Sequence, residues 1–164
     1  MDNLTNFSIV PLHRAGIDTI TQWRYEPPYD LYNLDGPLRP EDIDYFLDPA
    51  FAYHAITDAA GVLVGFCSFG VDAQVPGGDY RDDALDIGMG IRPDLTGHGW
   101  GALFAKAVVT FARDQYRPPR LRVTIAAFNQ RAQRVWQKLG FQPVTHFART
   151  GDQMPFISFI SPSG

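Results

Sequence analysis

Apolar positions along the chain follow two rhythms. Short alternating or continuous apolar runs predict strands at 7–12, 51–57, 62–70, 84–92, 120–126, 144–149 and 154–160. The first carries Phe7, Ile9, Val10 and Leu12, and the fifth has β-branched Val123, Thr124 and Ile125 at its centre. The turn Asp58-Ala59-Ala60-Gly61 makes a hairpin of the second and third. Helical spacing appears over 15–23, 40–47, 100 to about 116, and 129–139. Pro40 starts the second helix, and Glu41 and Asp42 suit its first turn. In the third, Leu103, Ala107 and Phe111 form one stripe with Phe104, Val108 and Ala112 beside it. Pro118 and Pro119 end it. The fourth shows Ala132, Val135, Trp136 and Leu139 on one face, then Gly140 as a left-handed stop and Phe141 as its apolar cap.

This order of elements describes a single α+β domain over 1–164, with a central mixed sheet of six to seven strands and about four helices. Two stretches break the rhythm. The segment 23–32 holds prolines and the rings of Trp23, Tyr25, Tyr29 and Tyr32, which read either as a loop packed by its rings or as a wall facing a substrate. The polar stretch 74–83 reads as a loop.

Composition narrows the class. The chain has 164 residues, 45% hydrophobic and 20% charged, with a net charge of −4. That is the composition of a soluble globular domain and lacks the basic excess of a nucleic-acid binder. A lone cysteine, Cys67, excludes an internal disulfide and reads as a small core residue. The expectation is a cytoplasmic protein with no membrane partner, since neither a spanning run nor a signal pattern appears. His13, His54, His98 and His146 have no metal-ligand spacing, so no metal is expected.

Candidate chemistry concentrates after the fourth strand. Thr96-Gly97-His98-Gly99-Trp100-Gly101 leads from strand to helix with three alternating glycines. Successive backbone N–H groups of such a loop can converge as an anion nest, which the helix N-terminus reinforces. The dinucleotide and P-loop glycine patterns are both absent. A tight-packing turn is the plain alternative.

Together with Asn129, Ala132, Trp136, Lys138, Gly140 and Phe141, the loop resembles the two signature motifs of the GNAT superfamily of N-acetyltransferases. The likeness covers 84–141; the first ~50 residues match in element order only. The resemblance implies a GNAT-like fold and acetyl-CoA as cofactor. Its pantetheine would pair with the backbone of Met89, Gly90 and Ile91, and its pyrophosphate would sit on 97–102. Asn129 would hydrogen-bond the pantetheine, and Trp136 would either stand near the thioester, where many members carry an acidic tyrosine, or pack in the core under Phe141. Arg131, Arg134 and Lys138 are either neighbours of the cofactor's charge or a solvated face. Trp23, Tyr25 and Tyr29 would line the acceptor side. A monomer and a homodimer through the C-terminal strands both stay open.

Acyl transfer to an amine needs the amine neutral, which for a lysine-like group at pH 7 costs about 4.6 kcal/mol. A general base meets that cost. Asp86 is the candidate, because strand alternation places it beside Gly88 and Gly90, which would leave an open trough, unless these glycines mark a bulge. Asp82, Asp83 and His54 are alternatives. The expected activity is acetyl transfer from acetyl-CoA to a primary amine of a small molecule, amino acid or peptide N-terminus. Trp136 cannot protonate a thiolate, so a CoA-binding sensor or interaction module without catalysis is the second reading.

Overall fold

The structure is a computed structural model that describes residues 6–34 and 36–162. Seven strands form one sheet: β1 (Ser8–Pro11), β2 (His54–Thr57), β3 (Leu63–Phe69), β4 (Leu85–Ile91), β5 (Leu121–Ala126), β6 (Gln142–Ala148) and β7 (Pro155–Ile160). Their spatial order is β1-β2-β3-β4-β5-β7-β6. Every neighbouring pair is antiparallel except β4 and β5, which run parallel. Four helices complete the fold: α1 (Arg14–Ile20), α2 (Pro40–Leu47), α3 (Gly101–Tyr116) and α4 (Gln130–Lys138).

The faces of the sheet follow from neighbouring residues of β3. A Cβ on Gly65 would lie 3.5 Å from Phe104 of α3. Phe66 points the other way, into a smaller core with Leu12, Ile17 and Ile20 around α1 and Ile43 of α2. So α3 and α4 cover one face, and α1 and α2 the other. In α3 the buried stripe is Phe104, Ala105, Val108, Val109 and Ala112, while Leu103 stays exposed. Of the two stripes read from the sequence, the second is buried in the core, while in the first Phe111 packs against its edge and Leu103 is exposed. Strand β2 begins three residues later than predicted, because Pro49–Phe51 forms a 3₁₀ turn and Ala52 adopts a left-handed conformation.

One feature of the sheet positions the site. Parallel pairing of β4 with β5 is limited to Leu85↔Leu121 and Asp86↔Arg122. Beyond that point the two strands run on without each other. The backbone phase of β4 fixes what faces the gap. Leu85 N–H donates to Arg120 C=O on the β5 side, while Asp86 C=O and Arg92 N–H bond toward β3. Register with β3 is continuous from Ile87 to Ile91, with no bulge at Gly88 or Gly90. Amide groups of Ile87, Met89 and Ile91 therefore point toward the gap.

Candidate active site

The glycine loop lies at the open end of this gap. After β4 the chain makes a 3₁₀ turn, Pro93–Leu95, and reaches α3 through 96–100. Gly97 and Gly99 have φ of 78° and 80°, a region that costs any residue with a Cβ. Gly101 serves a different need: a Cβ there would come within 2.6 Å of Val135 Cγ2, so its absence lets α3 and α4 close on each other. The first N–H to find an internal acceptor at the helix start is that of Leu103, on Trp100 C=O. Among the described residues, the six N–H groups from Gly97 to Ala102 have no hydrogen-bond acceptor. Six consecutive unpartnered donors at a helix N-terminus form a ready anion site.

Side chains add to it. Thr96 does not face outward as a donor; its hydroxyl is turned onto Pro93 C=O at 2.7 Å. His98 stacks on Trp100 with ring centroids 4.7 Å apart. Arg131, from the first turn of α4, reaches back over the loop, its Nη1 3.4 Å from where a Gly97 Cβ would be. Its guanidinium also lies 4.0 Å from the Tyr29 ring centre. A cavity of about 450 Å³ opens here, walled by Tyr25, Tyr29, Thr96, His98 and Arg131.

The aromatic segment crosses the gap between β4 and the β5–α4 junction. Tyr25 donates its phenol proton to Ile91 C=O at 2.7 Å. Burial pushes that phenol up to about 12. Tyr29 and Tyr32 both pack on Phe128, and Asn129 Nδ2 donates to Tyr32 Oη at 3.3 Å. Asn129 Oδ1 caps α4 by accepting from Ala132 N–H. The segment is thus a strap pinned to both sides of the opening. Trp23 packs on Phe66 in the smaller core and does not wall this cavity. Tyr25 and Tyr29 do wall it, but next to the glycine loop.

The expectation for Asp86 requires correction, and of the two readings of Trp136 the structure has the core one. Asp86 is only 3% exposed, and both its oxygens are held by Arg122, Nε at 2.6 Å and Nη2 at 2.8 Å, with Gln74 Nε2 donating at 2.9 Å. A carboxylate so enclosed and neutralised cannot meet an incoming amine. Nor is there an open trough beside it. A Cβ on Gly90 would strike the Phe66 ring at 2.3 Å, and one on Gly88 would strike Ser68 Oγ at 2.6 Å. The glycines make room for these side chains. Trp136 is 4% exposed and packs edge-on against Phe141, with centroids 5.0 Å apart. Phe141 N–H bonds to Trp136 C=O across left-handed Gly140, so the indole is part of a helix stop in the core and does not line the gap. Tyr80 was not singled out by the sequence. Its hydroxyl bonds Val75 N–H and Thr124 Oγ1, and its ring lies under Arg122.

Comparison with known proteins bears on the family and the fold. The family "Acetyltransferase (GNAT) domain" matches residues 8–142. No curated protein is significantly similar to the chain in sequence. Among solved structures, a chimera of the Vibrio cholerae spermidine N-acetyltransferase superposes with a TM-score of 0.74 at 15% identity, covering 94% of both chains. The Vibrio cholerae enzyme in complex with CoA and spermine gives 0.71 at 14% identity, again over 94% of both. An aminoglycoside N(6′)-acetyltransferase from Legionella pneumophila gives 0.67 at 14% identity, over 94% of this chain and 91% of that one. These structural likenesses concern the fold; the family match spans most of the sequence, and the chain belongs to the GNAT acetyltransferases.

Proposed function

We propose that the protein is an acetyl-CoA-dependent N-acetyltransferase acting on a primary amine of a small molecule, amino acid or peptide N-terminus. Acetyl-CoA is the cofactor of its family and supplies an acetyl group activated as a thioester. The residues present fit such a ligand. Six free N–H groups at 97–102, with Arg131 beside them, suit its pyrophosphate. The Met89 and Ile91 amide groups turned toward the gap suit an extended arm carrying amides of its own. Asn129 and Tyr25 stand at the two rims, where they can orient that arm.

The observation that carries this reading is the run of unpartnered donors at the open end of the β4–β5 gap. A family site that had lost its cofactor would have no reason to keep six N–H groups free and two glycines left-handed. Buried Trp136 removes the usual acid without removing the reaction. A thiol of pKa about 8.5 lies some 1.5 units above neutrality, so an unassisted thiolate costs only about 2 kcal/mol.

The test has two steps. CoA should stabilise the fold in a saturable way, raising the melting temperature with ligand concentration. Acetyl-CoA with a panel of amines, including polyamines, aminoglycosides, amino acids and short peptides, should then release free thiol. CoA binding without thiol release from any amine would favour a CoA-binding module, and no CoA binding would defeat both readings.

A further inference from the structure

With Asp86 committed to Arg122, the proton acceptor for the reaction has to be found elsewhere. Asp82 and Asp83 lie exposed in the loop ahead of β4. His54 is on the wrong face: its ring packs between Phe69 and Phe111 of α3, with Nδ1 2.7 Å from Ala52 C=O. The face covered by α1 and α2 carries a different group.

Asp72 sits in the 3₁₀ turn Val71–Ala73, which follows β3. Its neighbour Ala73 closes on Gly88, with Cβ 3.5 Å from where a Gly88 Cβ would be, and Ser68 Oγ closes on the same glycine. Tyr53 donates its phenol proton to the Asp72 carboxylate. The Tyr53 ring packs on Phe66, which in turn covers Gly90. Tyr53 and Asp72 thus form a hydrogen-bonded pair on the turn whose Ala73 closes on Gly88, with Ser68 Oγ against the same glycine, two residues past the last β4–β5 pair. That is the closed end of the gap whose open end holds the anion nest. A ligand anchored at 97–102 and laid along β4 would present its far end here.

We propose that Asp72, oriented by Tyr53, is the general base that takes a proton from the acceptor amine. This rests on the N-acetyltransferase reading above. The step balances simply. One proton of the ammonium passes to the Asp72 carboxylate, and the freed nitrogen lone pair forms the C–N bond to the acetyl carbon. The C–S bond breaks with its electron pair on sulfur, and the second nitrogen proton neutralises the thiolate through solvent. Asp72 then returns its proton to water.

The setting suits the role. Asp72 is half-buried, so it can be reached, and among the described residues it has no cationic partner within ion-pair distance. Burial raises its carboxyl from its ordinary value, which strengthens it as a base. The titratable groups on elements packed around it are Tyr53, Tyr45 of α2, and the Asp86–Arg122 pair, whose charges offset each other.

The test uses whichever panel amine the intact protein acetylates fastest. At pH 7, Asp72→Asn should lower kcat/KM about 10²–10³-fold. Above pH 9.5, where the amine deprotonates unaided, the loss should shrink to under tenfold. Tyr53→Phe should cost less, with its pH profile displaced. CoA affinity by calorimetry should be unchanged in both variants. Independently of turnover, carboxyl-carbon NMR of the free protein should show one aspartate titrating above the others, and that signal should vanish in Asp72→Asn. A loss equal at both pH values, or a variant within threefold of the parent at pH 7, would overturn the assignment. An intact protein that binds CoA but acetylates nothing would remove the N-acetyltransferase reading itself, and this inference with it.

Discussion

Gly90 illustrates how a residue can be noticed in a sequence and still be misread. Two glycines flanking an aspartate on a strand look like open space for a substrate. In the fold that space is taken, since the Phe66 ring stands where a Gly90 side chain would be. A single sequence records the missing Cβ but not which neighbour occupies its place. Gly90→Ala should therefore act as an overpacking change and destabilise by about 1–3 kcal/mol. Urea unfolding would read this as a lower midpoint at unchanged slope. Asp86 makes the same point with charge. Removing its carboxylate leaves Arg122 buried and unpaired, so Asp86→Ala should cost about 3–5 kcal/mol in stability. A variant that folded with full stability but lost only acetyl transfer would restore Asp86 as the base.

At the scale of elements, the strands and helices were largely legible, because alternation and 3.6-residue periodicity are local properties. Helix α4 shows it best: Ala132, Val135, Trp136 and Leu139 all meet the core as read, and Gly140 is left-handed. The strap between α1 and α2 was legible only as something unusual. Its anchors are Ile91 and Asn129, 66 and 97 residues away from the tyrosines they hold. No periodicity encodes such pairings. The strap carries a testable pH dependence. The Tyr25 phenol is pushed up to about 12 by burial, against an ordinary value of 10.0 in the unfolded chain. A raised value means that the folded state holds its proton longer. Stability from this group is complete below pH 10 and declines as pH rises from there toward 12, because only the unfolded chain gains by ionising. Melting temperatures between pH 9 and pH 11 should fall less steeply in Tyr25→Phe than in the parent chain. The same variant should lose about 0.5–1.5 kcal/mol at pH 7, the worth of the bond to Ile91.

Across the whole molecule the site is made by a mismatch: two parallel strands pair for two residues and then part, and the glycine loop stands at the mouth of the opening. In the proposed reading backbone amides would do most of the holding, so the usual charge-removal mutants would be a weak probe of it. Arg131→Ala should weaken CoA only moderately, by about 1–2 kcal/mol, since it removes one exposed charge-assisted contact. Gly99→Ala is the sharper change. Nothing lies within 4 Å of the added methyl, so there is no clash to confound the result. The φ of +80° is the sole obstacle. An alanine there costs about 1–2 kcal/mol if the loop keeps its shape, and the loop can avoid that cost by turning the N–H groups at 98–100 away from one another. The expected outcome is a protein that melts within a few degrees of the parent, keeps its sheet, and binds CoA at least tenfold more weakly by calorimetry. The Gly101→Ala variant provides the contrast. Its methyl meets Val135 at 2.6 Å, so it should loosen the α3–α4 contact and lower the melting temperature along with CoA affinity. If Gly99→Ala bound CoA as tightly as the parent chain, the nest would not be the cofactor's anchor, and the free amides at 97–102 would need another ligand.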